Sequence, residues 1–198
     1  RQAKNEIMGL LGRIDFFVES TESTIAARSV HDDNSMREQI TYEPLGVIAN
    51  ISAWNYPYFV GGNVFIPALL TGNAVLYKPS EFAAMTGLEI GKRLHASGVP
   101  SDLFSVVVGA GAAGSELIAQ PVDGVFFTGS YATGRRIAEQ IGPRMLKLQL
   151  ELGGKDPMIV FADANLELAA SAAVWGAFCN SGQSCSSVER LYVQQGVA

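Results

Sequence analysis

Both cysteines of the chain lie in one short segment, FCNSGQSC, residues 178–185. A cysteine thiolate can attack a carbonyl carbon, two cysteines can form a disulfide or help to bind a metal, and a small thiol is often buried in a core. Cys179 and Cys185 are six residues apart, which is not the C-x-x-C spacing of a redox pair, and no second cysteine pair or histidine cluster could complete a zinc site. The segment therefore leaves a nucleophile and a buried thiol as the main alternatives.

Five further motifs each come directly after an apolar, β-branched run that predicts a strand. They are WNYP (54–57), YKPSE (77–81), GAGAAG (109–114), FTGSYATG (127–134) and LELGGK (150–155). Each motif offers either polar side chains or a glycine-rich turn at a strand end. Each could do chemistry or could simply be a structural turn.

Two of these motifs could bind phosphate groups. GAGAAG is a literal G-x-G-x-x-G between a strand and a helix, but the acidic residue expected about 20 positions later is missing, since Asp123 comes too early and Glu139 too late. Its alternative is a tight turn that lets a helix pack on a strand. In FTGSYATG, Ser130 would cap a helix whose free N–H groups favour an anion, the alternative being a capped helix alone.

Three motifs carry polar side chains suited to ligand binding or catalysis. The Glu81 carboxylate could accept both hydroxyls of an adenosine ribose beside Lys78, the alternative being a surface ion pair. Asn55, held close to a proline, could donate to an oxyanion or could cap a turn. Glu151 precedes two glycines that open access to its carboxylate, as a general base requires, or it lies in a plain strand-exit turn.

Alternating strands and helices would position these motifs. Such alternation is typical of an open parallel sheet with helices on both faces, whose ligands bind beyond the carboxyl ends of the strands. We therefore expect all five motifs at one edge of the sheet. The predicted strands are 45–52, 74–79, 104–109, 124–129 and 146–152, with helices between them.

The two ends of the chain predict further elements. An apolar pattern from Ile7 to Val18 predicts a first helix, which we expect to end at the polar segment ESTEST, residues 19–24. A strand is expected over 37–44. Near the other end we expect a strand at 157–161 and a helix over 165–181, just before Cys185.

Composition excludes several classes of partner. The net charge of the 198 residues is −5 with no basic cluster, which argues against binding to nucleic acid or to an anionic membrane. The longest mostly apolar stretch, residues 64–77, is too short and too interrupted to span a bilayer. Two cysteines and no signal segment are typical of a reducing compartment, so we expect a cytoplasmic location.

WNYP, KPSE, FTGS, LELGGK and FCNSGQSC resemble the signature segments of the aldehyde dehydrogenase superfamily, in the family's order and at its usual spacing. The resemblance extends over nearly the whole chain. It implies that Cys185 is the nucleophile, Glu151 the general base and Asn55 the oxyanion donor, with Cys179 a packing residue and no metal. Because acylating relatives generally lack that glutamate, it implies oxidation of an aldehyde to a carboxylic acid.

The resemblance also implies a nicotinamide cofactor. NAD is expected, because the 2′-phosphate of NADP would meet the Glu81 carboxylate. NADP remains possible as the cofactor. Ser130 and Gly129 would receive the pyrophosphate and Gly109 would line the adenine pocket, so that GAGAAG is not the main phosphate loop. The expected cofactor-binding residues are Ile51, Ser52, Ala53, Trp54, Lys78, Ser80, Glu81, Gly109, Phe127, Gly129, Ser130, Thr133 and Leu152.

The expected fold class is α/β, with a Rossmann-like cofactor-binding domain and the start of a second α/β catalytic domain. We expect an N-terminal helix and strand segment at 1–43, the Rossmann-like domain at 44–151 and the beginning of the catalytic domain at 152–198. Because family members are much longer and the chain opens with Arg1, we expect a part of a longer protein. An inactive, truncated nucleotide-binding fragment is the alternative.

The substrate is expected to be a small aldehyde. WNYPYF, Trp175 and Phe178 offer an aromatic wall, which favours a hydrophobic one. By resemblance we also expect a homodimer or homotetramer for the full-length protein.

Overall fold

The computed structural model describes residues 2–198. The helices are α1 (Gln2–Ile25), α2 (Phe59–Leu70), α3 (Ala84–Ala96), α4 (Gly111–Ala119), α5 (Tyr131–Ile141) and α6 (Leu166–Phe178). The strands are β1 (Arg28–Asp32), β2 (Arg37–Ile40), β3 (Val47–Ile51), β4 (Ala74–Lys78), β5 (Phe104–Val106), β6 (Gly124–Gly129), β7 (Lys147–Leu152), β8 (Asp156–Val160) and β9 (Val188–Val193).

The centre of the molecule is a five-stranded sheet in the order β5-β4-β3-β6-β7, and every pair in it is parallel. The sheet begins in the chain with its central strand β3. The next two strands, β4 and β5, are added on one side of β3, and β6 and β7 are then added on the other side. The strand order therefore reverses at β3, where Ile51 pairs with Phe127 of β6. Ligands of open α/β sheets bind beyond the carboxyl ends of the strands at such a reversal.

Helices cover both faces of this sheet, which confirms the predicted fold class. Successive β3 residues point to opposite faces, so Ile48 packs with Phe65 of α2 and Ile90 of α3, whereas Ala49 packs with Ile118 of α4 and Ile137 of α5. On the α2 side, the rings of Phe65, Tyr77 and Phe104 form a buried cluster with centroids 5.3–5.8 Å apart.

The N-terminal region differs from its prediction in two places. Helix α1 continues through residues 19–24 instead of breaking there. The hydroxyls of Ser20, Thr21 and Thr24 donate to main-chain carbonyls one turn earlier, so their polar groups are satisfied within the helix. The expected strand at 37–44 is shorter, since β2 ends at Ile40, and it pairs antiparallel with the unpredicted β1.

Helix α1 is fixed to the sheet domain through α2. Glu6 accepts hydrogen bonds from the main-chain N–H groups of Tyr58 (2.6 Å) and Phe59 (2.9 Å) at the start of α2. These are amides that a helix start leaves without an intrahelical partner, and a carboxylate there also complements the helix dipole.

The last part of the chain forms a second, smaller sheet. Strands β8 and β9 pair in parallel as a separate sheet, connected by α6 and the segment that carries both cysteines. Asn165 caps α6 by accepting from Leu168 N–H at 3.0 Å. The chain thus leaves the central sheet after β7 and enters the second sheet at β8. Within residues 2–198, no helix combines the length and apolar character needed to cross a membrane.

Candidate active site

The five strand-end motifs lie at one edge of the central sheet. WNYP follows β3, YKPSE spans the end of β4, GAGAAG follows β5, and FTGS and LELGGK include the ends of β6 and β7. Since all five strands are parallel, their carboxyl ends face the same side. The structure therefore brings the predicted catalytic and cofactor-binding segments together at the expected edge.

Cys185 and Glu151 line the same cavity, of about 750 Å³, although Glu151 lies on β7 of the central sheet and Cys185 lies in the turn before β9. Both residues are exposed, so that a ligand can reach the thiol and the carboxylate. Gln149, two residues before Glu151 on the same strand face, donates from Nε2 to Glu151 Oε1 at 3.2 Å. A thiol and a carboxylate facing one cavity are the arrangement that covalent catalysis followed by hydrolysis requires.

The remaining walls of this cavity are mostly apolar and aromatic. Tyr56, Phe59 and Val60, at the start of α2, contribute to it together with Tyr42 from the segment after β2. The sequence suggested Trp175 and Phe178 as part of an aromatic wall. Both lie on α6, each is 72% exposed, and neither is among the described residues that line the cavity.

Asn55 connects the sheet edge to the cysteine segment. Its side-chain Nδ2 donates to the main-chain carbonyl of Gln183 at 2.8 Å, and Asn180 Nδ2 donates to the main-chain carbonyl of Asn55 at 2.9 Å. The first bond uses one of the two amide hydrogens of Asn55. Asn55 therefore makes a long-range contact instead of capping its own turn, and it lies beside the loop that leads to Cys185.

The loop before Cys185 has an unusual backbone. Asn180, Ser181 and Gly182 are all left-handed, with φ values of 52°, 59° and 73°. Asparagine and glycine tolerate this region, but each non-glycine residue held there costs on the order of 1–3 kcal/mol. Sequence reasoning assigned no role to Asn180. The sequence Asn-Ser-Gly could have suggested a turn here, because asparagine and glycine both tolerate left-handed backbone.

The loop after Glu151 approaches the same segment. A Cβ added at Gly154 would lie 2.6 Å from Asp156 Oδ1 and 3.5 Å from the Cys185 carbonyl oxygen, so the second glycine of LELGGK permits close packing. Lys155 forms an ion pair with Glu189, and Arg190 Nε donates to the Lys155 carbonyl at 2.7 Å. These contacts hold the loop between β7 and β8 against β9.

Lys78 is buried, with 4% of its surface exposed. Its Nζ donates to the Pro79 carbonyl at 3.2 Å, its aliphatic chain lies against Gly114 of α4, and it forms no ion pair among residues 2–198. Burial lowers the pKa of Lys78, and the nearby charge of Glu81 partly opposes that shift. The surface ion pair considered from the sequence is therefore wrong.

The N-terminus of α5 presents an anion-binding geometry. Ser130 is the N-cap, and its hydroxyl accepts from Thr133 N–H at 3.3 Å. A cleft of about 170 Å³ between α4 and α5 is lined by Ile51, Gly114 and Thr133, among others. Main-chain N–H groups at a helix start favour phosphate oxygens, and Gly114 leaves room beside them, so these residues fit the phosphate groups of a nucleotide.

The other expected cofactor residues occupy varied environments. Ile51, Ser52 and Ser80 are buried at strand ends, Ala53 is half-buried, and Trp54 and Glu81 are exposed. The side chains of Phe127 and Leu152 pack into the core on the α4–α5 side, and a Cβ at Gly129 would lie 2.5 Å from the Phe127 ring. At Gly109 a Cβ would lie 2.6 Å from that of Ala113, which favours the tight-turn interpretation of GAGAAG.

Comparison with known proteins identifies the family. The sequence profile described as "Aldehyde dehydrogenase family" matches residues 1–198. The chain is 48% identical over 157 residues to a 4,4'-diapolycopene aldehyde oxidase of Methylomonas sp, covering 79% of this chain and 30% of that protein. It is 39% identical over 198 residues to a Mycolicibacterium smegmatis protein named as an NADP(+)-dependent succinate-semialdehyde dehydrogenase, covering 99% of this chain and 38% of that protein.

A solved structure agrees. The crystal structure of an aldehyde dehydrogenase from Brucella melitensis biovar abortus 2308 superposes with a TM-score of 0.94 at 32% identity, covering 99% of this chain and 41% of that one. The chain spans 30–38% of the length of the two curated relatives. The chain belongs to the aldehyde dehydrogenase family.

Proposed function

We propose that the protein oxidises a hydrophobic aldehyde to the carboxylic acid with NAD, through a thioester on Cys185. The observation that carries this proposal is the common cavity of Cys185 and Glu151, beside a loop to which Asn55 is hydrogen-bonded. Because the chain covers less than half of each relative compared above, this is a proposal about the protein that contains it.

The first half of the reaction is assigned to Cys185 and Asn55. The Cys185 thiolate adds to the aldehyde carbon, forming a C–S bond and a tetrahedral oxyanion. The amide hydrogen of Asn55 that is not bonded to Gln183 is available to stabilise that oxygen, and one such donor is typically worth about 2.7–4 kcal/mol in the transition state. When bound, the nicotinamide cofactor supplies the acceptor for the hydride that leaves the same carbon.

The second half is assigned to Glu151. The carboxylate takes a proton from water, and the resulting hydroxide attacks the thioester carbon. The C–S bond breaks with its electron pair going to sulfur, so that Cys185 returns to the thiolate and the carboxylic acid leaves, and Glu151 then releases its proton to the solvent. Gln149 donates to one oxygen of the Glu151 carboxylate, and because Glu151 is exposed and lines the cavity, a water molecule can reach that carboxylate.

Four residues carry the proposal for cofactor binding. Lys78 and Glu81 would hold the adenosine ribose at the end of β4, and Gly129 and Ser130 would hold the pyrophosphate at the start of α5. One relative is named for NADP(+). The Glu81 carboxylate favours NAD here, because it would repel a 2′-phosphate. Further contacts are proposed for Ile51, Ser52, Ala53, Trp54, Ser80, Gly109, Phe127, Thr133 and Leu152.

The cavity walls support a hydrophobic substrate. Aromatic and aliphatic side chains beside Cys185 would stabilise an apolar chain by removing its surface from water. A relative at 48% identity is by its name an oxidase of 4,4'-diapolycopene aldehyde. We therefore propose aldehydes with an apolar chain as the substrate class.

The domain division, assembly and location are proposals of the same kind. We assign residues 44–151 to cofactor binding and 152–198 to the beginning of the catalytic domain.

Exposed apolar residues on α1 and the β1–β2 hairpin, such as Phe16 and Val30, support a homodimer or homotetramer, which light scattering would measure. A cytoplasmic location is expected and can be tested by cell fractionation.

Incubation of the purified protein with a series of aldehydes and NAD tests the proposal. Formation of carboxylic acid and reduced cofactor in equal amounts, fastest with apolar aldehydes, is the expected result. Binding of NAD without turnover of any aldehyde would instead support an inactive nucleotide-binding fragment.

A further inference from the structure

Asn180 and Asn55 are 125 residues apart, and the side chain of each donates a hydrogen bond to a main-chain carbonyl of the other segment. Asn180 Nδ2 donates to the Asn55 carbonyl at 2.9 Å, while Asn55 Nδ2 donates to the Gln183 carbonyl at 2.8 Å. Each segment therefore both gives and receives one side-chain hydrogen bond. Together the two bonds fix both the backbone and the side chain of Asn55.

The direction of the Asn55 amide depends on both bonds. The bond to Gln183 sets where one amide hydrogen points, and planarity of the amide then sets the other. The bond from Asn180 holds the Asn55 main chain, from which that side chain extends. A donor that stabilises an oxyanion must already be oriented before the charge develops, so loss of either bond would misdirect it.

We infer that Asn180 is a positioning residue, whose side-chain amide holds the Asn55 main-chain carbonyl so that the Asn55 side chain points to the oxyanion. This inference rests on the proposed function. Asn180 acts through Asn55 and does not touch the reacting atoms.

A simpler alternative is that Asn180 serves only its own backbone. Its φ of 52° begins the left-handed run over Asn180, Ser181 and Gly182, and asparagine tolerates that conformation. Glycine tolerates it at least as well but has no side chain. Asn180→Gly therefore removes the hydrogen bond to Asn55 but still allows the left-handed backbone conformation. This variant separates the positioning role of the side chain from its role in the local backbone.

The test compares Asn180→Gly and Asn180→Asp with the unchanged full-length protein. Aspartate has nearly the same shape as asparagine but, when ionised, cannot donate to a carbonyl. For both variants we expect kcat to fall on the order of 10²-fold with little change in KM. Asn34→Gly, the same substitution in the exposed turn between β1 and β2, is the matched control and should leave kcat unchanged.

Two further readouts exclude a general disturbance of the cysteine loop. Alkylation of Cys185 by iodoacetamide needs no oxyanion donor, so its rate, followed on the Cys185 peptide by mass spectrometry, should not change in Asn180→Gly. If Asn180 acts through Asn55, the double variant Asn55→Ala/Asn180→Gly should turn over no more slowly than Asn55→Ala alone.

Three results would each overturn the inference. They are an unchanged kcat in Asn180→Gly or Asn180→Asp, a Cys185 alkylation rate that falls together with turnover, and a double variant whose loss of kcat is the product of the two single losses. If the unchanged protein oxidises no aldehyde, the proposed function fails instead. A crystal structure of Asn180→Gly then decides the inference by itself. An Asn55 side chain that leaves the Gln183 carbonyl supports it, and an unmoved side chain overturns it.

Discussion

The side-chain amide of Asn55 donates a 2.8 Å hydrogen bond to the main-chain carbonyl of Gln183, 128 residues later in the chain. Asn55 follows the central strand of the five-stranded sheet, and Gln183 lies two residues before Cys185. This contact joins the edge of the sheet to the loop that presents the thiol. The proposed oxyanion donor is therefore hydrogen-bonded to the main chain two residues before the proposed nucleophile.

Asn55→Ala removes the proposed oxyanion donor. We expect kcat to fall by about 10²–10³-fold, the usual cost of losing one such donor. Steady-state kinetics with an apolar aldehyde measure this, and Asn34→Ala, at an exposed turn, is the control. Unchanged kcat in Asn55→Ala would show that the amide does not contact the reacting oxygen.

Glu151→Gln removes the proposed general base and keeps the size of the side chain. Hydrolysis of the thioester should slow by about 10²–10⁴-fold, while its formation should persist. A rapid-mixing experiment should therefore show one equivalent of reduced cofactor formed quickly, followed by very slow turnover. Glu22→Gln, the same change at an exposed position of α1 outside the cavity, is the control and should turn over normally. Loss of the initial burst in Glu151→Gln would place the glutamate in an earlier step.

Glu81→Ser removes the carboxylate that would repel a 2′-phosphate. We expect kcat/KM with NADP to rise relative to that with NAD by at least about tenfold, since 1.4 kcal/mol of relieved repulsion corresponds to that factor. Glu116→Ser, on the exposed side of α4, is the control. An unchanged ratio would show that Glu81 does not face the adenosine ribose.

Tyr77 lies in the buried aromatic cluster with 1% of its surface exposed, and burial raises its pKa from 10.0 to about 12. Above pH 10 the unfolded chain releases this proton while the folded protein retains it up to about pH 12. The unfolded state then binds fewer protons, so the free energy of unfolding decreases across that interval. The decrease due to Tyr77 should approach about 2–3 kcal/mol.

Tyr77→Phe should remove this part of the pH dependence. Urea unfolding between pH 9 and about pH 12 measures it, as the difference in free energy of unfolding between the variant and the unchanged protein. Tyr131→Phe, at a residue that is 69% exposed, is the control. Parallel curves for Tyr77→Phe and the unchanged protein would contradict a raised Tyr77 pKa.

The sequence was sufficient to predict the central sheet and its ligand-binding edge. Short β-branched runs ending in Gly, Pro or Ser turns mark the strands, and alternation with helices fixes their parallel arrangement. Strand β6 was predicted at its observed limits, Gly124–Gly129, because Asp123 and Ser130 bound its apolar run. The resemblance to the family added the roles expected of the residues in these segments.

Three features could not be predicted because they depend on contacts that the local pattern does not show. Strand β1 exposes all five of its residues and so lacks an apolar alternation. The aliphatic chain of Lys78, at the end of β4, is covered by Gly114 of α4, which is 36 residues away in the sequence. The bond from Asn180 to Asn55 joins segments 125 residues apart. Such contacts follow from the tertiary fold and not from the neighbouring residues.

The rate of acid formation by Cys185→Ala, compared with that by Cys179→Ala, tests the assignment of the nucleophile most directly. Both variants remove one thiol, and the two positions lie in the same segment. We predict that Cys185→Ala loses activity on the order of 10⁴-fold or more, as expected when a nucleophile is removed, and that Cys179→Ala stays within about twofold of the unchanged protein. Aldehyde oxidation that survives in Cys185→Ala, or that is lost in Cys179→Ala alone, would contradict the mechanism.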